Sequence, residues 1–569
     1  MKTSNRALFL FLTISTLAFA GDGADINFGI LSILPPLLAI VLAFITKNVV
    51  LSLFLGIFSG TFLLNIQNGF FKGISGSFTD IIRKIIESMS DSWNAGIILQ
   101  VLTIGGLVAL VSKMGGARAI AEALAKRAKT PRSTQIVTWF MGLLIFFDDY
   151  ANALIVGPIM RPISDKMKIS REKLAFIIDA TAAPIAGIAL ISTWIGYEIS
   201  LIKDAYEIIG ITNINAYGIF IETIPYRFYN ILMLVFVVAS AIMLKEFGPM
   251  LKAENRARTT GEVMAHNNKP EESAESTAME PKEGIKFNIW NAIIPIGVLM
   301  VSSFIGFYYN GLSGLDAEVL ERIHRAPLSF YAIRETFGAS DASIVLFEAA
   351  LLASIVAIAM GVQQKIFKLS EAIDTWVHGM KSLVITGVIL LLAWSLSSVI
   401  KDLGTSTYLV SMLSDTVPKF LLPSIIFTLA SIIAFSTGTS YGTMGILMPL
   451  AIPLANAIGS NAGLIGNDLH SYIVVSVGAV LTGAIFGDHC SPISDTTILS
   501  SMGAGCDHVD HVKTQLIYAI AIAILSILFG YLPAGLGLPV YIILPIGIIS
   551  VFALLKIFGK DVAVETESN

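Results

Sequence analysis

Asp148 and Asp149 stand side by side in Phe146-Phe147-Asp148-Asp149-Tyr150-Ala151-Asn152, a run whose flanks are otherwise apolar. A charged side chain at the centre of a bilayer costs from about 3 to more than 10 kcal/mol. Adjacent carboxylates there need a cation to offset them, or a proton to carry, and repulsion between them favours keeping a proton on one. Three further polar stretches interrupt apolar runs. Asp179-Ala-Thr181-Ala-Ala-Pro184 sets a carboxylate within a turn of a proline that frees a helix carbonyl. Ser436-Thr437-Gly438-Thr439-Ser440 offers hydroxyl oxygens on a glycine-loosened backbone, and Gly487-Asp488-His489-Cys490-Ser491-Pro492-Ile-Ser494-Asp495-Thr496-Thr497 adds two more acids beside a proline. If the last stretch is helical, Asp488, Ser491 and Asp495 share a face. Carboxylates, hydroxyls and exposed carbonyls suit a hard cation such as Na⁺.

These residues must be held by membrane helices. Of the 569 residues 55% are hydrophobic and 14% charged, with mean hydropathy +0.77, against about 25% charged in a soluble domain. No phosphate-binding Gly-x-x-x-x-Gly-Lys-Ser/Thr run occurs, so the energy source is expected to be an ion gradient. Cys490 and Cys506 imply no disulfide framework. A zinc set drawn from His489, Cys490, Cys506, His508 and His511 fits known ligand spacings only roughly, and no cofactor is expected.

Residues 1–20 read as a bacterial signal peptide: Lys2 and Arg6 precede a short apolar stretch and Ala18-Phe-Ala20. Spanning segments are expected near 29–46, 49–65, 94–112, 173–198, 226–246, 287–308, 341–361, 381–400, 470–501, 514–533 and 537–557. Residues 70–90 and 366–380 are expected at the interface. The runs 134–160 and 419–457 are interrupted at their midpoints, and a polar linker, 248–286, divides the chain. Phe147, Asn152, Gly157, Ile159 and Met160 recur as Phe435, Ser440, Gly445, Leu447 and Met448; Ile177, Pro184, Ile185 and Ser192 recur as Ile485, Pro492, Ile493 and Ser500. Lysines and arginines flank 134–160 on both sides, from Lys113 to Arg132 and from Arg161 to Lys173, whereas no Lys or Arg occurs from 420 to 512. The positive-inside rule then places 134–160 as a hairpin entered from the cytoplasm and 419–457 as one entered from outside. The expected fold is an all-α polytopic membrane protein with two inverted repeats, about eleven transmembrane helices and two re-entrant hairpins with broken helices. Its parts are 28–247 (first repeat), 287–533 (second repeat) and a last helix at 537–557. The linker and C-terminus are expected in the cytoplasm, and the N-terminus after residue 20 in the periplasm of a bacterial inner membrane.

The runs Phe146–Pro162, Ile178–Pro184 and Gly487–Thr497 resemble the NhaC-type Na⁺/H⁺ antiporter family, part of a wider ion transporter superfamily, over most of 30–557. The resemblance implies one cation site combining Asp148, Asp149 and Asn152 with the break at Asp179, Thr181 and Pro184, with Na⁺ on Asp148, Asp149 and Asp179. It implies a second combining Thr437, Thr439 and Ser440 with Asp488, Ser491 and Asp495. Exchange of Na⁺ for H⁺ by alternating access is the expected function, with no enzymatic chemistry and no nucleic-acid partner. A Na⁺-coupled carrier of an amino acid or carboxylate is the alternative. Superfamily members that move as elevators are often dimers, which makes a homodimer a candidate assembly.

Overall fold

The computed structural model describes residues 28–562 apart from 47, 191, 213, 266–281, 283 and 414–415. The signal-like segment 1–20 lies outside the described residues, as does much of the linker. Among the described residues, eight helices are long and apolar enough to cross a membrane. A ninth span results if Ala216–Tyr226 and Phe228–Met243, bent by 46°, are counted as one. Shorter apolar helices include Gly29–Ala43 and Val49–Asn65. The helix at 70–90 leaves Phe71, Phe78, Ile82 and Ile86 exposed along one side, as a lipid-contacting helix requires. Residues 366–380 do not stand apart in the same way. Their helix runs almost without a break into the next, giving a stretch Leu369–Asp402, and presses Gly379 against the backbone of Gly105.

The helices that build the interior are numbered here in chain order. After α1 (Ser92–Lys113) comes α2 (Pro131–Leu144), started by Pro131 in its first turn and a reciprocal cap between Thr130 and Ser133. The chain then leaves helical geometry over 145–148 and resumes as α3 (Asp149–Lys166). Next is α4 (Arg171–Ala180), capped by Ser170; a short turn of helix at Ala183–Ala186 and α5 (Ile195–Ile208) follow. The single span expected at 173–198 is therefore broken. Pro184 has no N–H for the carbonyl at 180, so the helix stops there.

α6 (Phe228–Met243) leads through the two-residue strand β1 (Lys245–Glu246) to α7 (Gly248–Thr260); β1 pairs antiparallel with β2 (Lys560–Asp561). In the second half, α8 (Leu422–Thr437) ends at Gly438, and α9 (Ser440–Asn461) begins after the extended Thr439. Gly438 has φ +68°, and an added Cβ would lie 2.7 Å from the Ile493 carbonyl oxygen, so backbone angle and space both require glycine. α10 (Gly466–Cys490) gives way at Ser491–Ser494 to α11 (Asp495–Ala504), followed by α12 (His508–Ser526). The expected helix face joining Asp488, Ser491 and Asp495 is not formed, because Pro492 ends α10 and puts Asp495 at the start of a new helix.

At the end of the molecule carrying Arg161, Lys166 and Lys168, α7 folds back over the start of α4. Lys173 pairs with Glu246 at 2.8 Å, both fully buried, and Tyr518 also bonds Glu246. Glu254 accepts from the Ser170 amide and hydroxyl, each at 2.7 Å. Burial raises the Glu254 carboxyl above its ordinary range and the nearby Glu246 adds to this, while Arg258 and the Ser170 bonds oppose it. Removing one member of a buried ion pair strands the other. Lys173→Met is therefore expected to cost about 3–5 kcal/mol, read as a lowered thermal midpoint in detergent, and adding Glu246→Leu should restore most of the loss.

Candidate functional site

Each break is held by side chains that take up the freed backbone groups. At the first tip the Asn152 amide donates to the Gly142 carbonyl (2.9 Å) and the Thr181 carbonyl (2.6 Å), fastening the α2–α3 turn to the α4 break. The Thr193 amide donates to the Phe147 carbonyl at 3.2 Å. The second tip repeats this logic with different residues. Ser491 Oγ donates to the Phe435 carbonyl at 2.7 Å, and Ser440 Oγ to Asp488 Oδ2 at 2.8 Å. The Asp488 carbonyl, which Pro492 cannot serve, accepts from Thr497 Oγ1 at 3.2 Å. Ser494 Oγ donates to Asp488 Oδ1 at 2.5 Å. Both tips thus draw hydrogen-bond partners from within the protein, as an apolar setting demands.

The halves then interlock. α3 lies against α11 so closely that a Cβ on Gly157 would come within 2.4 Å of the Gly503 backbone. Tyr150 donates its hydroxyl to Asp495 Oδ2 at 3.2 Å. On the other side α5 meets α9, with the Tyr197 hydroxyl bonded to the Tyr441 carbonyl and the Trp194 and Tyr441 rings 5.0 Å apart.

Between the tips lies a cavity of about 300 Å³ lined by Asp148, Asp149, Tyr150, Thr193, Trp194, the tip Thr437–Tyr441, Asp488, Asp495 and Thr496, among others. Its described lining holds four carboxylates and no lysine or arginine. Asp148, Asp149 and Asp488 are nearly buried, at 5%, 6% and 6% exposure, whereas Asp495 is exposed. Two unit charges about 4 Å apart repel by about 4 kcal/mol at an effective dielectric of 20, so such a group calls for bound cations or protons. α8 and α10 end beside the cavity while α3, α9 and α11 begin there, so carbonyl ends that favour positive charge and amide ends that favour negative charge meet at it.

Of the residues singled out from sequence, Asp148, Asp149, Thr437, Thr439, Ser440, Asp488 and Asp495 line this one cavity. The two separate sites expected from the resemblance are therefore not how the side chains group. Asn152, Thr181 and Ser491 fasten the breaks instead of lining the cavity. Asp179 is turned away from the Asp pair: Oδ2 accepts from Gln515 Nε2 at 2.7 Å and lies 3.8 Å from His511 Nε2, while Oδ1 has no partner. Asp148, Asp149 and Asp179 thus do not form a single Na⁺ ligand set. The reason is that α4 ends at Ala180 with its last turn facing α12.

Among the described residues no three or more His, Cys, Asp or Glu side chains gather to hold a metal. An ion in the cavity would combine carboxylate with hydroxyl and carbonyl oxygens. His489 donates to or accepts from the Tyr229 hydroxyl through Nδ1 (2.7 Å), and Cys490 Sγ bonds the Phe486 carbonyl, which disperses the zinc set considered from sequence.

Sequence reasoning missed Thr193, Trp194 and Tyr441, which lie in unremarkable apolar text. It also missed Arg227, fully buried and paired with Glu198 at 2.7 Å while donating to the Gly187 carbonyl and to Thr223. That arginine marks the bend before α6, a signal readable as an isolated charge in an apolar run.

A bundle of apolar helices interrupted around a shared acidic cavity is the architecture of a secondary transporter. The chain belongs to the Na⁺/H⁺ antiporter family, whose pattern it matches over residues 185–535. A Haemophilus influenzae protein of uncharacterised function is 32% identical over 515 residues, covering 90% of this chain and 92% of that protein. The malate-2H⁺/Na⁺-lactate antiporter of Bacillus subtilis is 36% identical over 120 residues, covering 20% of this chain and 23% of that one. The solved YdaH transporter of Alcanivorax borkumensis shares the fold, with TM-score 0.51 and 16% identity over 82% of this chain and 90% of its own.

The Gly157–Gly503 seam sets the spacing of Asp149 and Asp495 across the cavity. Gly157→Ala is expected to cost about 1–3 kcal/mol by overpacking and to weaken Na⁺ binding, measured by thermal stabilisation with Na⁺. Gly297→Ala, inside a helix where nothing lies within 4 Å, is the control and should leave Na⁺ binding unchanged with no loss of stability.

Proposed function

We propose that this chain exchanges Na⁺ for H⁺ across the bacterial inner membrane by alternating access, with the acidic cavity as the cation site. The observation that carries this reading is the convergence of Asp148, Asp149, Asp488 and Asp495 in a cavity whose described lining contains no basic residue. Na⁺ and H⁺ compete for the same carboxylates. Either one lowers the net charge enough for the loaded site to cross the apolar barrier, while the empty, charged site is held back. Exchange is then obligatory without separate pathways. Hydroxyls of Thr437, Thr439 and Ser440 complete the oxygen shell.

The parallel order of interrupted segment and broken helix in both halves, with opposite charge flanks, supports two inverted repeats with opposed hairpins. In this arrangement the linker lies in the cytoplasm and the start of the described chain faces the periplasm. Asp179 is a further carboxyl, held apart from the cavity, that can take a proton.

A second reading is favoured by the cavity volume, which reaches the low end for small-molecule sites. A small organic solute coupled to Na⁺ would fit, as the name of the Bacillus subtilis relative suggests. The acidic lining suits an amine better than a free carboxylate.

Asp149→Asn is expected to abolish Na⁺-dependent proton flux in everted vesicles or proteoliposomes while the protein still inserts. Flux at the wild-type rate in that variant would refute the assignment. One-for-one competition further predicts that apparent Na⁺ affinity falls by up to about tenfold per unit drop in pH. Uptake screened over amino acids, amines and hydroxy acids by the purified protein decides between the two readings.

A further inference from the structure

We propose that the acidic cavity and an apolar groove beside it together bind an amphipathic organic ammonium ion in place of Na⁺. Its charged head sits among Asp148, Asp149 and Asp488, and its hydrocarbon tail lies along the groove. This rests on the reading of the cavity as a cation site and adds a second class of ligand to it. The groove, of about 720 Å³, is lined by Leu51, Phe54, Val388 and Leu392, and it shares Asn48, Val50 and Ile385 with the cavity. The three shared residues form the rim between them, so an acidic space and an apolar one adjoin.

Two helices make the groove. Val49–Asn65 and Val384–Asp402 are packed tightly where Gly60 leaves no room for a Cβ beside Val399. Toward their N-terminal ends the groove opens between them, and there Leu51, Ile385 and Val388 are exposed. Asn48 caps the first helix, its Oδ1 accepting from the Leu51 amide at 2.9 Å. Val49 lies against Gly442 of α9, which brings the mouth of the groove beside the Thr437–Tyr441 tip.

The chemistry of the combined site exceeds what a metal cation uses. Na⁺ gains nothing from an apolar groove, and a single ion fills little of the cavity. An alkylammonium head is attracted both by carboxylates and by aromatic rings, and the Trp194 and Tyr441 rings, 5.0 Å apart, line the cavity with the acids. Asp488 is held in place by Ser440 on Oδ2 and by Ser494 on Oδ1, while the described lining supplies no lysine or arginine to pair with it. Charge selects the occupant. A phospholipid or fatty acid laid in the groove with its head at the cavity would bring a phosphate or carboxylate against Asp148, Asp149 and Asp488, where like charges repel. An ammonium ion and Na⁺ neutralise the same carboxylates, so each excludes the other.

The test uses the full chain in lipid nanodiscs and follows displacement of bound ²²Na⁺ by tetramethylammonium and by butyl-, hexyl- and octyltrimethylammonium. In the wild type the half-displacing concentration is expected to fall about two- to fourfold per added methylene. Val388→Trp and, on the facing helix, Leu51→Trp fill the groove outside the cavity. Each should keep Na⁺ binding and displacement by tetramethylammonium but flatten the dependence on chain length. Partitioning into lipid is common to wild type and variants, so the difference between them reports the groove. Octyl sulfate, of matching tail and opposite charge, should leave Na⁺ bound. A chain-length dependence unchanged in both tryptophan variants overturns the proposal, because the tail then lies elsewhere. Displacement by octyl sulfate as effective as by octyltrimethylammonium also overturns it and makes the groove a seat for lipid tails. If no ammonium ion displaces Na⁺ from a wild type that binds it, the proposal falls and the cation-site reading stands. A wild type that binds no ²²Na⁺ overturns both.

Discussion

Backbone that leaves helical geometry inside an apolar bundle must find hydrogen-bond partners within the protein, because lipid offers none. That constraint accounts for much of what surrounds the cavity. Asn152, Ser491, Thr497, Gln515 and Arg227 each spend a polar side chain on a carbonyl released at a break or bend. Asn230 does the same for Pro184, at 2.8 Å. These residues look like ligands in a sequence, being buried and polar. In the structure they are the supports that let the carboxylates and the Thr437–Ser440 tip face one another.

Charge is handled in two distinct ways. Where a salt bridge is possible, it is made and sealed: Lys173 with Glu246, and Arg227 with Glu198, all at 0–1% side-chain exposure. Such pairs hold elements in register and leave little charge to interact with anything else. The described lining of the cavity, by contrast, gathers carboxylates with no lysine or arginine among them.

Much of this was legible from residue order. The Asp148–Asp149 pair, the hydroxyl tip and the acids around Pro492 announced themselves as polar interruptions, and the prolines at 184 and 492 announced the breaks. The span expected over 470–501 ran on past Pro492, whereas α10 ends at Cys490 and a new helix starts at Asp495, since nothing in a periodic pattern distinguishes a kink from a stop. The pairing of Asp179 with Asp149 also failed to appear, because sequence gives no hint that Gln515, more than 300 positions away, would claim that carboxylate. Trp194 and Tyr441 were invisible for the opposite reason: aromatic residues in apolar text read as packing, and their place at the cavity wall follows from how α5 meets α9.

The contact of Gly157 with Gly503 joins the halves backbone to backbone, without side chains in between. A side chain added at either position meets main chain, which cannot be trimmed by a compensating substitution opposite. Gly379 against Gly105 ties the halves in the same way, so their lipid-facing helices can diverge while these crossings stay fixed.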